Sequence, residues 1–255
     1  MCEMKGIIAA FAMYSKIPMP KIEWNAKNMR YAMAFFPLVG MVLGGVFLAW
    51  SRLAERLELT GVTFAAGSVL IPLLLTGGLH MDGFIDTVDA WHCYGGPEKR
   101  REVLKDPHVG AFGVIWCGAY LLALLGGWAQ LYERPRFIWL VAAGFVFSRT
   151  LTAILTLTQP PASASGILHS FASSTEKKPV IAILITFIAL LSALGIWLEL
   201  LVCGGLLAVI LLISVLCIRA AKREFGGISG DLAGFFLQII ELVFLLAAVI
   251  GGLIL

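Results

Sequence analysis

Long apolar runs separated by short polar segments set the pattern of this chain. The runs predict membrane-crossing helices at 31–50, 61–79, 110–132, 137–157, 180–198, 200–218 and 232–254. Each is close to the ~20 residues that cross a bilayer. The stretch from Val180 to Ile218 is too long for one crossing, and Glu199 near its middle predicts a tight helical hairpin. Pro37 and Pro72 fall inside the first two runs and predict kinks or local breaks. Ile7 to Tyr14 is apolar but too short to span, and Pro18 and Pro20 end any helix there. The fold class that follows is all-α, a polytopic membrane helical bundle of about seven transmembrane helices, or six if the 180–218 stretch is miscounted. It reads as a single membrane-embedded domain over residues 1–255.

Composition agrees with the pattern. The chain is 60% hydrophobic and 14% charged, where an average soluble domain is nearer half and a quarter. Mean hydropathy is +0.92. The net charge of +3 gives no nucleic-acid surface, and the membrane lipid is the expected surroundings. No cleavable signal peptide is expected. The five cysteines form no CxxC pair and read as reduced thiols. With the N-terminus in the cytoplasm, 14 of the 19 Lys and Arg fall in cytoplasmic segments and 4 outside, with Arg149 inside a span. That bias fits the positive-inside rule. It also places all five aspartates on the cytoplasmic side.

Residues 76–113 hold four of the five aspartates and three of the four histidines. Asp82, Asp86 and Asp89 stand at i, i+4 and i+7, on one face of a helix. Like charges at that spacing repel and call for a cation. Oxygen ligands at this density suit Mg²⁺ or Mn²⁺. Cys93 is the only cysteine nearby, which argues against thiolate-rich zinc. Asp231 follows the Gly-rich turn 226–230 and is explained equally by helix capping and by metal binding. Arg149 within a span is a functional candidate, paired with an aspartate or holding a phosphate. Lys105 or Arg101 in the basic segment 99–106 are candidate phosphate contacts. His80 lies off the Asp82 face and is expected to orient a substrate or a carboxylate. Glu241 is a buried partner without an assigned role, and the polar segment 158–170 converges on the same side. Gly77, Gly78 and Gly83 allow close backbone approach, to a ligand or to a helix. For Gly44-Gly45, Gly126-Gly127 and Gly204-Gly205 helix packing is the preferred reading. Carboxylates, a divalent cation and basic groups at a membrane face point to phosphoryl chemistry.

Several stretches carry a resemblance. GGLHMDGFIDTVDAW followed by LKDPHVGAFGV resembles the signature of the cobalamin synthase family, the adenosylcobinamide-GDP ribazoletransferases. SKIPMP is similar to that family's RIPxP pattern, FFPLVGMVLGG resembles its first span, and FGGISGDLAG matches its late Gly-rich acidic motif. Together they run nearly end to end in the family's order. The resemblance implies an inner-membrane enzyme, its site facing the cytoplasm, that joins adenosylcobinamide-GDP to α-ribazole or its 5′-phosphate, releases GMP and needs Mg²⁺. It carries over Asp82, Asp86, Asp89, Lys105, Asp106, Arg149 and Asp231 as metal and phosphate residues. In the mechanism expected, Asp82, Asp86, Asp89 and Asp106 hold Mg²⁺, while Lys105 and Arg149 neutralise phosphates. DPHVG stands where DSRIG is commoner, so His108 replaces an arginine. A CDP-alcohol phosphotransferase is the alternative, but of its DGxxAR and GxxxDxxxD only Asp82-Gly83 is present. A carboxylate-using transporter would favour charges at the midplane and inverted repeats, and neither is found. The oligomeric state is open, and a homo-oligomer is compatible with the chain.

Overall fold

A computed structural model describes residues 2–163 and 167–255. The described residues form twelve α-helices and no strand beyond one isolated bridge. These are α1 (Cys2–Tyr14), α2 (Ala26–Met29), α3 (Phe36–Arg56), α4 (Gly61–Thr76), α5 (Leu79–His92), α6 (Pro97–Val103), α7 (Ala111–Glu133), α8 (Ile138–Thr158), α9 (Ile167–Ser174), α10 (Lys177–Leu198), α11 (Leu200–Glu224) and α12 (Gly230–Ile254). Six of them, α3, α7, α8, α10, α11 and α12, are long and apolar enough to cross a membrane. The all-α membrane bundle expected from the apolar pattern is the fold observed.

The count of crossings turns on α4 and α5, not on the 180–218 stretch. That stretch is the predicted hairpin, α10 and α11 meeting at Glu199, where Arg136 pairs with the carboxylate at 2.7 Å. The run at 61–79 instead ends at Thr76. Gly77 and Gly78 follow with φ of +66° and +77°, and the chain turns by 97° into α5. Two successive left-handed residues are costly for anything but glycine. The α4–α5 pair makes a seventh crossing only if counted together. Pro37 makes no kink. It sits in the first turn of α3, where a missing N–H costs nothing.

Packing is graded. Helix α8 is buried along most of its length against α3 and α12, with Phe47, Phe145, Trp128 and Phe244 in the core. Gly40 and Gly44 lie directly on the backbone of Phe145 and Ala142, and Gly127 meets Leu245. The other expectations of glycine packing fail: Gly45, Gly126, Gly204 and Gly205 have no such neighbour. Helices α7, α10 and α11 turn Leu122, Leu190 and Leu211 outward, as lipid-facing surfaces do.

Candidate active site

Helix α5 crosses the start of α12 at backbone contact. A Cβ on Gly83 would come within 2.8 Å of the Asp231 carbonyl oxygen, and one on Gly234 within 3.0 Å of that of His80. Two glycines facing each other's backbones therefore bring two acidic segments together that are about 150 residues apart in sequence. The start of α12 is capped by Ser229, whose hydroxyl accepts from the Leu232 N–H at 3.1 Å. Ser229 is thus the cap, and the Asp231 carboxylate accepts from the Ser229 hydroxyl at 3.5 Å. The turn before it is clamped at both edges. Ile228 donates to the Pro160 carbonyl and accepts from the Ala162 N–H, each at 2.9 Å.

Two hollows meet at Asp82. One is a partly open cavity of about 170 Å³ lined by Tyr14, Phe36, His80, Thr152, Asp82 and Asp231, among others. The other is an open cleft of about 550 Å³ lined by Lys16, Thr76, Gly77, Gly78 and Asp82. Lys16 donates its backbone N–H to the Leu75 carbonyl at 2.7 Å, and its side chain lies over Gly77 where a Cβ would otherwise stand. A cation and a carboxylate thus line the same cleft.

Asp86 is partly buried on α5, which turns off the spanning direction. Burial, then the charges of Asp82, Asp231 and Asp89, push its carboxyl up to about 6. That shift marks an uncompensated acidic cluster. Among the described residues no three His, Cys, Asp or Glu side chains are gathered closely enough to hold a metal by themselves. Mg²⁺ does not require such a cage. It binds through one or two carboxylates, keeps waters and completes its shell with substrate phosphates. The exposed Asp82 with Asp86 and Asp231, repelling one another beside a cleft, fit that requirement.

The remaining sequence candidates are placed otherwise. Asp89 accepts from the Gly113 N–H at 3.1 Å and packs against Gly110, so it caps the start of α7 from a neighbouring helix. Asp106 lies on an exposed loop and accepts from the backbone N–H of His108 at 3.0 Å, with the His108 ring at 2.7 Å. Those bonds hold its carboxyl below the ordinary range. Lys105 is exposed on the same loop and makes no ion pair among the described residues. Arg100 pairs with Glu224, which ties α6 to α11, and Arg101 lies over Gly226.

Arg149 is 1% exposed, and its partner is Glu241, at 2.5 Å, not an aspartate. It also donates to the Phe145 carbonyl at 2.9 Å and lies 6.0 Å from the Phe36 ring. It lies 5.8 Å from the Phe145 ring as well, its Nε has no partner among the described residues, and it does not line the cavity. Sequence reasoning missed Lys16 and Thr152. Lys16 belongs to SKIPMP, one of the motifs already singled out; Thr152, one turn beyond Arg149, carries no signal in sequence. Of the polar segment 158–170, residues 164–166 lie outside the described residues.

This geometry can be set against known proteins. The cobalamin-5-phosphate synthase family matches residues 6–249. An adenosylcobinamide-GDP ribazoletransferase of Lachnoclostridium phytofermentans is 39% identical over 95% of this chain and 92% of its own length. Proteins of the same name from Clostridium botulinum and Desulfitobacterium hafniense are each 31% identical, over 96% and 97% of this chain and 96% and 98% of their own. No solved structure matches. A match that takes in the SKIPMP segment, the acidic α5 and the Gly-rich turn before α12, all at one crossing of helices, leaves no part of the site outside it, and the chain belongs to the cobalamin-5-phosphate synthase family, membrane-embedded transferases of cobalamin synthesis.

Proposed function

We propose that the chain transfers the adenosylcobinamide-phosphate group of adenosylcobinamide-GDP to α-ribazole or its 5′-phosphate, with Mg²⁺, at the α5–α12 crossing. The observation that carries this reading is the meeting of a partly open, largely apolar cavity and an open cleft at one carboxylate, Asp82. Two substrates of different character can approach that residue from opposite sides. Asp82 with one of its neighbours, Asp86 or Asp231, would hold Mg²⁺, which supplies charge neutralisation on the pyrophosphate and the leaving phosphate. Lys16 in the cleft and Lys105 on its loop face the phosphates. Arg149 packs near Phe36 of the cavity wall, while Asp89 and Asp106 order α7 and the 104–110 loop.

The ribazole hydroxyl oxygen forms a bond to the phosphorus attached to cobinamide. The bridging bond to the guanylyl phosphate breaks, and GMP leaves with the electron pair. The hydroxyl proton passes to a carboxylate of the aspartate cluster that does not hold the metal. The reading has this face in the cytoplasm, which the charge bias of the chain supports, and the protein in the inner membrane, as the family resemblance implies. The test uses protein reconstituted in liposomes with adenosylcobinamide-GDP and α-ribazole, in Mg²⁺ or EDTA. Metal-dependent appearance of GMP and a new corrinoid is expected. Folded protein that yields neither rejects the reading and turns attention to lipid acceptors.

A further inference from the structure

The partly open cavity holds two polar atoms that nothing satisfies. His80 is 6% exposed and Thr152 5%, yet the His80 Nε2 and the Thr152 hydroxyl have no hydrogen-bond partner. Both residues line the cavity. Buried polar atoms in folded proteins are nearly always bonded, and the exceptions mark a missing ligand, water or function. Apart from Asp82, Asp231 and Thr156, the remaining walls are apolar. Tyr14 stacks on Phe36 with ring centroids 4.0 Å apart, and the Phe171 ring stands edge-on to Tyr14 at 6.3 Å. Tyr14 spends its hydroxyl on the Met33 sulfur at 3.3 Å, so it offers the cavity its ring.

We infer that this cavity is the subsite for the base of the acceptor, a flat apolar nitrogen heterocycle of the benzimidazole class, with His80 and Thr152 as the residues that recognise it. The inference rests on the ribazole reading above and extends it. A glycosylated benzimidazole presents an apolar ring with a single free ring nitrogen. That nitrogen and one sugar hydroxyl can satisfy the two orphan atoms. The guanine of the other substrate carries several donors and acceptors on its ring edge, and the part of the wall made by Met13, Met33, Phe36 and Phe171 offers them no partner. The wall also fixes a direction. Asp82 and Asp231 line the cavity, and Asp82 continues into the cleft with Lys16. A base held among Tyr14, Phe36 and Phe171 would send its sugar toward Asp82, where the pyrophosphate arrives from the other side.

Two measurements test this, on full-length protein in detergent. The first is binding of benzimidazole itself, without turnover, by calorimetry. It should bind wild type in competition with α-ribazole and not with adenosylcobinamide-GDP. Thr152→Val keeps shape and removes the hydroxyl, and should weaken that binding about tenfold, the loss of one buried hydrogen bond. The second is steady-state kinetics. Thr152→Val should raise the KM for α-ribazole about tenfold and move that for adenosylcobinamide-GDP by less than twofold. His80→Ala should shift the same KM, and His80→Gln should recover part of it. Competition between benzimidazole and adenosylcobinamide-GDP, or equal shifts in both KM values, overturns the inference. So does folded wild type that binds no benzimidazole. If wild type makes no product but binds benzimidazole and loses it in Thr152→Val, the reaction proposed above fails and the heterocycle subsite stands.

Discussion

Helix α12 carries two carboxylates, about three turns apart, in opposite states. Glu241 is closed: it takes the Arg149 guanidinium at 2.5 Å and the Ser148 hydroxyl at 3.3 Å, 8% exposed in the bundle core. Asp231 is open: relieved of capping by Ser229, it faces Asp82 and Asp86 across the α5 crossing with no cation among the described side chains paired to it. A charge in an apolar bundle must be compensated. At Glu241 the protein does this itself, and the result is structure. At Asp231 no described side-chain cation does so, and on the proposed reading the compensation comes from the bound metal.

Each side of the comparison can be broken separately. Asp82→Asn should abolish turnover, by at least a thousandfold or about 4 kcal/mol in activation free energy, while insertion and thermal unfolding in detergent stay as in wild type. A mutant with normal rates would sink the placement of both substrates at this residue. Arg149→Met should show its main effect in the fold. It leaves Glu241 buried and unpaired, at a cost of about 3–5 kcal/mol, read as a lowered unfolding temperature. Adding Glu241→Leu should restore most of that loss, because an apolar pair in place of an ion pair is close to neutral.

Gly83→Ala sharpens the comparison at the crossing itself. Alanine gains roughly 1 kcal/mol of helix propensity over glycine. Its Cβ, however, would stand 2.8 Å from the Asp231 carbonyl oxygen, and forcing two backbones apart costs about 1–3 kcal/mol. The clash should win, and turnover should fall by roughly tenfold to a hundredfold because a displacement near 1 Å is enough to do so. Unchanged kinetics would show that the crossing does not set the site.

The smallest effect concerns pH. In the folded chain the Asp86 carboxyl is raised to about 6, above its unfolded value of 3.8. Its ionisation therefore works against the fold. The contribution is most favourable below 3.8 and is lost as pH rises toward 6. In EDTA, unfolding temperature should drop modestly as pH goes from 4 to 7, and Asp86→Asn should flatten that slope. Mg²⁺ at pH 7 should recover part of the loss in wild type alone. A pH profile identical in the two proteins would remove Asp86 from the cluster.

How much could be read in advance follows from what each feature depends on. Apolar length decides a membrane helix, because a bilayer fixes the number of residues a crossing needs. The six long helices and the hairpin at Glu199 were legible for that reason. The i, i+4, i+7 spacing was enough to put Asp82, Asp86 and Asp89 on one helix, since helical periodicity is local. The partners of those residues were not legible. Asp89 serves the start of α7, Arg149 finds Glu241 92 positions away, and Lys16 reaches the α4–α5 turn only once α1 has docked. Such choices depend on how close two helices come, and that distance is decided here by single glycines meeting across α5 and α12. The chain by itself determined a helical membrane protein with an acidic segment, because spacing and hydropathy are properties of neighbours in sequence. Only the tertiary structure decided which carboxylates stay open and which hollow ends on them, because compensation of charge is a property of neighbours in space.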